Sequence, residues 1–124
     1  MKPMYTKKEF EDIGEKVIDW CIDEFGLSKH YEHYPYIEID MDEIDLMGEF
    51  IGDNNEIIIY PNAMENMDDF VSTVIHEYTH YLQRSSWYTR YINMGYESTN
   101  NPYEMIAETA AVNNLKKCKD NILK

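Results

Sequence analysis

The first periodic segment of the chain predicts a helix. From Thr6 to about Phe25, apolar residues recur at intervals of three and four, the spacing that places side chains on one face of an amphipathic helix. Thr6 is a plausible N-cap, because its hydroxyl can accept a hydrogen bond from a free backbone N–H. Gly26 is a plausible stop, because glycine readily adopts the left-handed conformation that follows many helices.

A small sheet is predicted next. The segment from Tyr36 to Met41 alternates apolar and acidic side chains, as a strand does when only one of its faces is buried. Two further short apolar runs, Leu46 to Ile51 and Glu56 to Tyr60, are joined by residues 52–55, all of which tolerate turn conformations. These two runs predict a hairpin.

The second half of the chain predicts two helices separated by a loop. Helical spacing resumes from Asp68 to about Arg84. Residues 85–101 are rich in Ser, Asn, Tyr and Thr without a sustained period, which predicts a long ordered loop with room for one helical turn. A final helix is expected to begin at Asn101 and Pro102 and to run to about Lys117. The expected fold class is therefore α+β, in one domain that covers residues 1–124.

Composition and charge narrow the classes of function. The 44% apolar content of the 124 residues is enough for a core without disulfides. The formal net charge of −13 argues against a nucleic-acid-binding protein, because phosphate neutralisation requires clustered Lys and Arg. One acidic alternative stays open: a small acidic protein can imitate the charge surface of DNA and so occupy a nucleic-acid-binding protein.

Three features of the sequence indicate the cellular compartment in which the protein is expected. Cys21 and Cys118 lie far apart and show neither CxxC spacing nor the density of a disulfide-built secreted protein, which predicts free thiols. No apolar run approaches the roughly 18 residues of a membrane span. The segment MKPMYTKKEF lacks the apolar core of a secretion signal. We therefore expect a cytoplasmic protein without a membrane partner.

One motif carries candidate chemistry. Residues 76–80 read HEYTH, an HExxH pattern inside the second predicted helix. His76 and His80 are one turn apart on one helix face, where their nitrogens can converge on one tetrahedral zinc ion. Glu77 would then lie beside the metal, and its carboxylate could accept a proton from metal-bound water as that water attacks a polarised carbonyl. The pattern predicts a zinc hydrolase with Glu77 as catalytic base.

A catalytic zinc site needs a third protein ligand. No histidine follows His80, and Gln83 and Ser86 stand where the extended pattern HExxHxxGxxH requires Gly and His. Glu104 and Glu108 share the apolar face of the last helix, where a carboxylate is costly unless it meets a cation. Helical geometry leaves both as candidates, and a capping-box bond to the helix start is the alternative role for Glu104.

The two motifs together resemble the gluzincin branch of the zincin metallopeptidases. VIHEYTHYLQ followed by NPYEMIAETAA is similar to its compact forms, including the minigluzincins and the ImmA/IrrE-type peptidases, over about Glu56 to Val112. The resemblance implies a minimal zincin-like domain with zinc endopeptidase activity. It also implies that His76, His80 and Glu104 bind Zn²⁺, that Glu77 is the base, and that Glu108 orients a ligand histidine from behind.

The resemblance also has implications for the substrate. Zincin substrates are peptides or proteins that lie extended along an edge strand, for which the run Leu46 to Ile51 is the counterpart here. No downstream histidine is available to stabilise the oxyanion, and Tyr88, Tyr91, Tyr96 and Arg90 stay open as alternatives. A catalytically silent zinc-binding interaction module is the alternative function on the same fold.

Overall fold

The computed structural model describes residues 5–123, in which four α-helices accompany one three-stranded sheet. The fold class is α+β, as predicted. The elements in chain order are α1 (Lys7–Phe25), β1 (Tyr36–Ile39), β2 (Gly48–Ile51), β3 (Glu56–Ile59), α2 (Met67–Leu82), α3 (Ser86–Asn93) and α4 (Pro102–Ile122).

Helix α1 begins and ends where the sequence predicts. The backbone N–H of Glu9 donates to the Thr6 hydroxyl at 3.1 Å, and the Thr6 N–H donates to the Glu9 carboxylate at 2.9 Å. This reciprocal pair is a capping box, which satisfies two backbone donors that the helix cannot satisfy itself. Gly26 follows the helix with φ of 82°, a conformation that a side chain would disfavour.

The sheet has the order β1-β3-β2 and is mixed. β2 and β3 form the predicted antiparallel hairpin, whereas β1 pairs with β3 in parallel. The prediction that β1 reaches Met41 is wrong, since the strand ends at Ile39. The Asp40 carboxylate accepts the Asp42 backbone N–H at 2.9 Å, and this local turn competes with continuation of the strand.

β2 lies at one edge of this sheet in the described part of the chain. The Tyr60 N–H donates to the Met47 carbonyl at 2.8 Å, so these opposed residues form a hydrogen-bonded pair. Such pairs alternate along an antiparallel ladder. Glu49 therefore directs its backbone groups to Ile58 on β3, while Phe50 directs its N–H and C=O to the open edge.

Helix α2 is the centre of the fold, where it packs against α1, α4 and the β2–β3 hairpin. Its rear face is anchored by two fully buried tyrosines. The Tyr78 hydroxyl donates to the Gly26 carbonyl, and the Tyr81 hydroxyl donates to the His33 carbonyl at 2.9 Å. These bonds hold α2 so that His76, Glu77 and His80 of the HExxH motif face the groove between β2 and α4.

Two predictions about the second half of the chain are wrong. Residues 85–101 are not the predicted loop, because the two-turn helix α3 occupies eight of them. Its two turns are too short for a sustained period, and they are held by contacts such as Arg90 over the Trp87 ring at 4.6 Å. Helix α4 also continues past Lys117 to Ile122, because buried Cys118 extends its apolar face against the core.

Both cysteines are buried and free, as predicted. Burial raises the pKa of the Cys118 thiol to about 12 and also raises that of Cys21, so their reactive thiolate forms are disfavoured at neutral pH. Within residues 5–123, no helix combines the length and the apolar character that crossing a membrane requires.

Candidate metal centre

Two helices bring three potential metal ligands together. His76 and His80 project from one face of α2, and Glu104 projects toward them from the first turn of α4. One Glu104 oxygen lies 3.3 Å from His76 Nε2, and the other lies 3.1 Å from His80 Nε2. The three ligand atoms lie within 4.8 Å of one another, and no other group of His, Cys, Asp or Glu in residues 5–123 converges in this way.

Glu104 does not take the capping role that the sequence left open. Asn101 caps α4 with its own side chain, which accepts the Tyr103 N–H at 2.9 Å. Within the described residues, no hydrogen bond joins the Asn101 N–H to the Glu104 carboxylate. When protons lie on the facing Nε2 atoms, hydrogen bonds from His76 and then His80 hold the pKa of Glu104 well below its usual range, which favours the ionised carboxylate that a metal ligand requires.

The outer ring nitrogens of both histidines are held by acceptors. His76 Nδ1 lies 3.2 Å from a Glu108 carboxylate oxygen, and His80 Nδ1 lies 2.7 Å from Gln83 Oε1. The orientation of the Gln83 amide is set by its other end, because its Nε2 donates to the Tyr103 carbonyl at 2.9 Å. Both acceptors favour a proton on Nδ1, which leaves Nε2 as the free lone pair of a neutral ring.

This tautomer makes the donor set suitable for a cation. In neutral His76 and His80 the Nε2 lone pairs would face the oxygens of the Glu104 carboxylate, so acceptors would oppose acceptors at 3.1–3.3 Å. The arrangement is favourable only when protons or a metal ion lie between them. Burial lowers the pKa of His76, but the contacts with Glu104 and Glu108 and the charge of Glu77 together outweigh burial and raise that pKa overall. Two imidazole nitrogens and a carboxylate are also ligands that Zn²⁺ accepts.

Glu77 is a buried carboxylate without a partner among residues 5–123. It is 7% exposed, and no hydrogen bond or ion pair joins its carboxylate to another residue among those described. Burial, opposed by the neighbouring histidines, raises the pKa of Glu77. A buried carboxylate normally pairs, because leaving water is costly. The carboxylate of Glu77 therefore keeps its lone pairs free for water or substrate.

The candidate ligands and Glu77 line one open groove. The edge strand β2 forms one wall, and α2 with α4 forms the other. Residues on these walls include Met47, Gly48, Phe50, Thr73, Tyr103 and Ala111 as well as the three ligands.

No family model, curated protein or solved structure matches this chain. The resemblance to gluzincins therefore depends on the two sequence motifs and stays a prediction.

Two residues that support His80 were not identified from the sequence as functional. Gln83 holds its Nδ1, and the Tyr103 ring stacks on the imidazole with centroids 4.5 Å apart and planes within 12°. The sequence contained one indication that Gln83 could contact His80, because Gln83 follows it by three residues, which is close to one helical turn. The sequence contained none for Tyr103, because Tyr103 reaches His80 only through the packing of α4 on α2.

Most of the other candidate residues lie away from the proposed metal site. His30 and His33 form an HxxH pair, but both are exposed and lie outside the cluster. Among the four residues proposed for oxyanion stabilisation, only Tyr88 lines the groove. Its position is fixed from behind, because buried Asn101 donates to its carbonyl at 3.1 Å.

Proposed function

We propose that this protein is a zinc-dependent metallopeptidase that hydrolyses peptides or proteins in the cytoplasm. The observation that carries the proposal is the pairing of two features in one groove: three convergent metal ligands, and a buried carboxylate beside them that has no protein partner among the described residues. A purely structural metal site would use the ligands but would have no need for Glu77.

Each residue has a definite part in the proposed chemistry. His76, His80 and Glu104 would hold the zinc ion, while Glu108 and Gln83 orient the two imidazoles. A bound zinc ion would supply a Lewis acid and lower the pKa of water. Glu77 would take the proton of the attacking water, because its carboxylate lies in the same groove as the three proposed ligands. Tyr88 is our candidate for the oxyanion donor, because it lines the same groove.

The arrangement of the elements supports a minimal zincin-like domain. A small sheet precedes the HExxH helix, a glutamate-bearing helix follows it, and the edge strand β2 borders the groove. An extended substrate could add to this edge through the outward backbone groups of Phe50, in the manner of strand addition.

The first test is metal dependence. The purified protein should contain one zinc ion per chain, and it should cleave members of a peptide library. A strong chelator should abolish cleavage, and added zinc should restore it, because the proposed hydrolysis requires the metal. Metal content by mass spectrometry and cleavage by liquid chromatography would measure both.

Two histidine variants test whether zinc binds at the proposed site. His80→Ala should lose the zinc ion, whereas His33→Ala should keep it, because the His33 side chain is exposed and outside the cluster. Cleavage that persists in metal-free protein would contradict the proposal. Zinc binding without cleavage would favour the catalytically silent module, and zinc-independent binding to a basic protein would favour the nucleic-acid mimic.

A second prediction concerns the edge strand. Phe50→Pro should lower kcat/KM for peptide cleavage by about 3- to 10-fold relative to Phe50→Ala, because proline removes the outward N–H that a bound strand would use. The expected size corresponds to about one hydrogen bond, or roughly 1 kcal/mol. Phe50→Ala is the matched control, since it removes the same ring from Tyr31 and Tyr81 but keeps the N–H.

Proline one residue earlier should act differently. Glu49→Pro removes a backbone bond to Ile58 on β3, so it should lower the thermal midpoint more than Phe50→Pro does. Equal cleavage by Phe50→Pro and Phe50→Ala would show that substrate does not use this edge.

A further inference from the structure

The groove is strongly acidic. Five carboxylates line it, on Glu49, Asp69, Glu77, Glu104 and Glu108. None of the Lys and Arg side chains in residues 5–123 lines it. A zinc dication would offset only two of the five negative charges, so the groove would keep an excess of about three.

The excess charge is present on both walls. Glu49 lies on the edge strand β2, and its carboxylate is held by the Tyr60 hydroxyl, which donates at 2.7 Å. Asp69 lies in the first turn of α2, and Glu108 lies on α4 with a side chain that is 63% exposed. An extended peptide in the groove would therefore pass between carboxylates on either side.

We infer that the groove selects basic peptides, with Lys or Arg beside the bond to be cleaved, and rejects acidic ones. This inference depends on the proposed peptidase function, because it names the substrate class of the same groove. A cationic side chain would find carboxylates there that no Lys or Arg of the described residues offsets. An acidic side chain would meet like charge on both walls, where none of the described Lys and Arg side chains offsets it.

The inference concerns the groove rather than the overall charge of −13. A uniformly acidic surface attracts any cation from a distance, whereas a groove with low-dielectric walls strengthens interactions at short range. Removal of one groove carboxylate should therefore matter more than removal of a carboxylate elsewhere on the sheet. Glu49 suits this test, because it does not contact the proposed metal ligands in the structure.

The experiment uses the zinc-loaded protein and a peptide that it cleaves. Three versions of each peptide carry Lys, Gln or Glu at one position, scanned over the three residues on each side of the cleaved bond. We expect kcat/KM to fall in the order Lys, Gln, Glu at one or more positions, with about tenfold or more between Lys and Glu at low salt. At 1 M salt, where the screening length is about 3 Å, the ratio should shrink to about twofold.

Two glutamine variants test the location of the charge. Glu49→Gln keeps the side-chain shape and an oxygen that can accept from Tyr60, and it should reduce the Lys-to-Glu ratio severalfold. Glu56→Gln is the matched control, because Glu56 lies on β3 of the same sheet but does not line the groove. This control should leave the ratio unchanged.

The outcomes separate this inference from the proposed function. Zinc-dependent cleavage with equal rates for all three peptides would overturn the inference and leave the peptidase proposal standing. If no peptide is cleaved, fluorescence anisotropy of labelled Lys and Glu peptides with the zinc-loaded protein still measures the preference, and equal affinities would overturn it. An equal effect of Glu49→Gln and Glu56→Gln would also contradict it, because overall charge would then be the cause.

Discussion

Replacing Glu77 with glutamine should lower the rate of peptide hydrolysis by about two orders of magnitude or more, while zinc content and fold are retained. The amide has the shape of the carboxylate but cannot take a proton from water. Because the Glu77 carboxylate bonds to no other described residue, the change breaks no hydrogen bond that stabilises the fold. Its burial even predicts a slightly more stable protein, since a neutral amide costs less to desolvate than an ion.

The measurements for this variant are kcat, zinc stoichiometry and the thermal midpoint. Glu15→Gln is the matched control, because it makes the same chemical change at an exposed position on α1. That control should change none of the three quantities. If Glu77→Gln hydrolyses peptides as fast as the parent, Glu77 is not the base. Loss of zinc together with activity would instead assign Glu77 a role in holding the metal site.

Replacing Glu104 with alanine should weaken zinc binding far more than replacing Glu108. Both Glu104 oxygens face the Nε2 atoms of the histidines, whereas Glu108 meets only Nδ1 of His76, on the other side of the ring. Loss of a residue that orients a ligand costs about 10- to 100-fold in affinity. Loss of Glu104, the proposed direct ligand, should exceed that range.

Two further variants serve as references for the loss of zinc affinity. Gln83→Met should resemble Glu108→Ala, because it removes the acceptor that holds Nδ1 of His80. Glu97→Ala, which removes an exposed acidic side chain from the loop before α4, should leave the affinity unchanged. Competition with a chelating dye of known affinity would measure all four variants. Should Glu108→Ala release the metal while Glu104→Ala retains it, the assignment of the third ligand is reversed.

Prediction from the sequence was accurate where structure depends on residues near one another in the chain. The capping of α1 by Thr6, the turn at residues 52–55 and the helix around His76 all follow from local capping, turn and periodicity rules. It was inaccurate where an element is short or is extended by distant packing. α3 has too few turns to show a period, and the last turn of α4 depends on burial of Cys118.

In the candidate site, too, local spacing predicts some features and only tertiary packing decides the others. The shared face of His76 and His80 could be read from their spacing, because four residues make about one helical turn. Glu104 and Glu108 could be recognised as candidates but not distinguished, since both lie on one helix face. Their difference arises from how α4 approaches α2, which sets the contact of Glu104 with histidines 24 and 28 residues earlier. The binding of zinc by Glu104 stays a prediction.

By itself the sequence determined the positions of most helices and strands, the acidic charge and the histidine face of α2, because these depend on spacing and composition. Only the tertiary structure decided the parallel pairing of β1 with β3, the position of β2 at the edge and the groove between that edge and α4. It also decided that Gln83 and Tyr103 support His80. The physical reason is that packing of distant segments brings these groups together, and local periodicity contains no information on which distant surfaces meet.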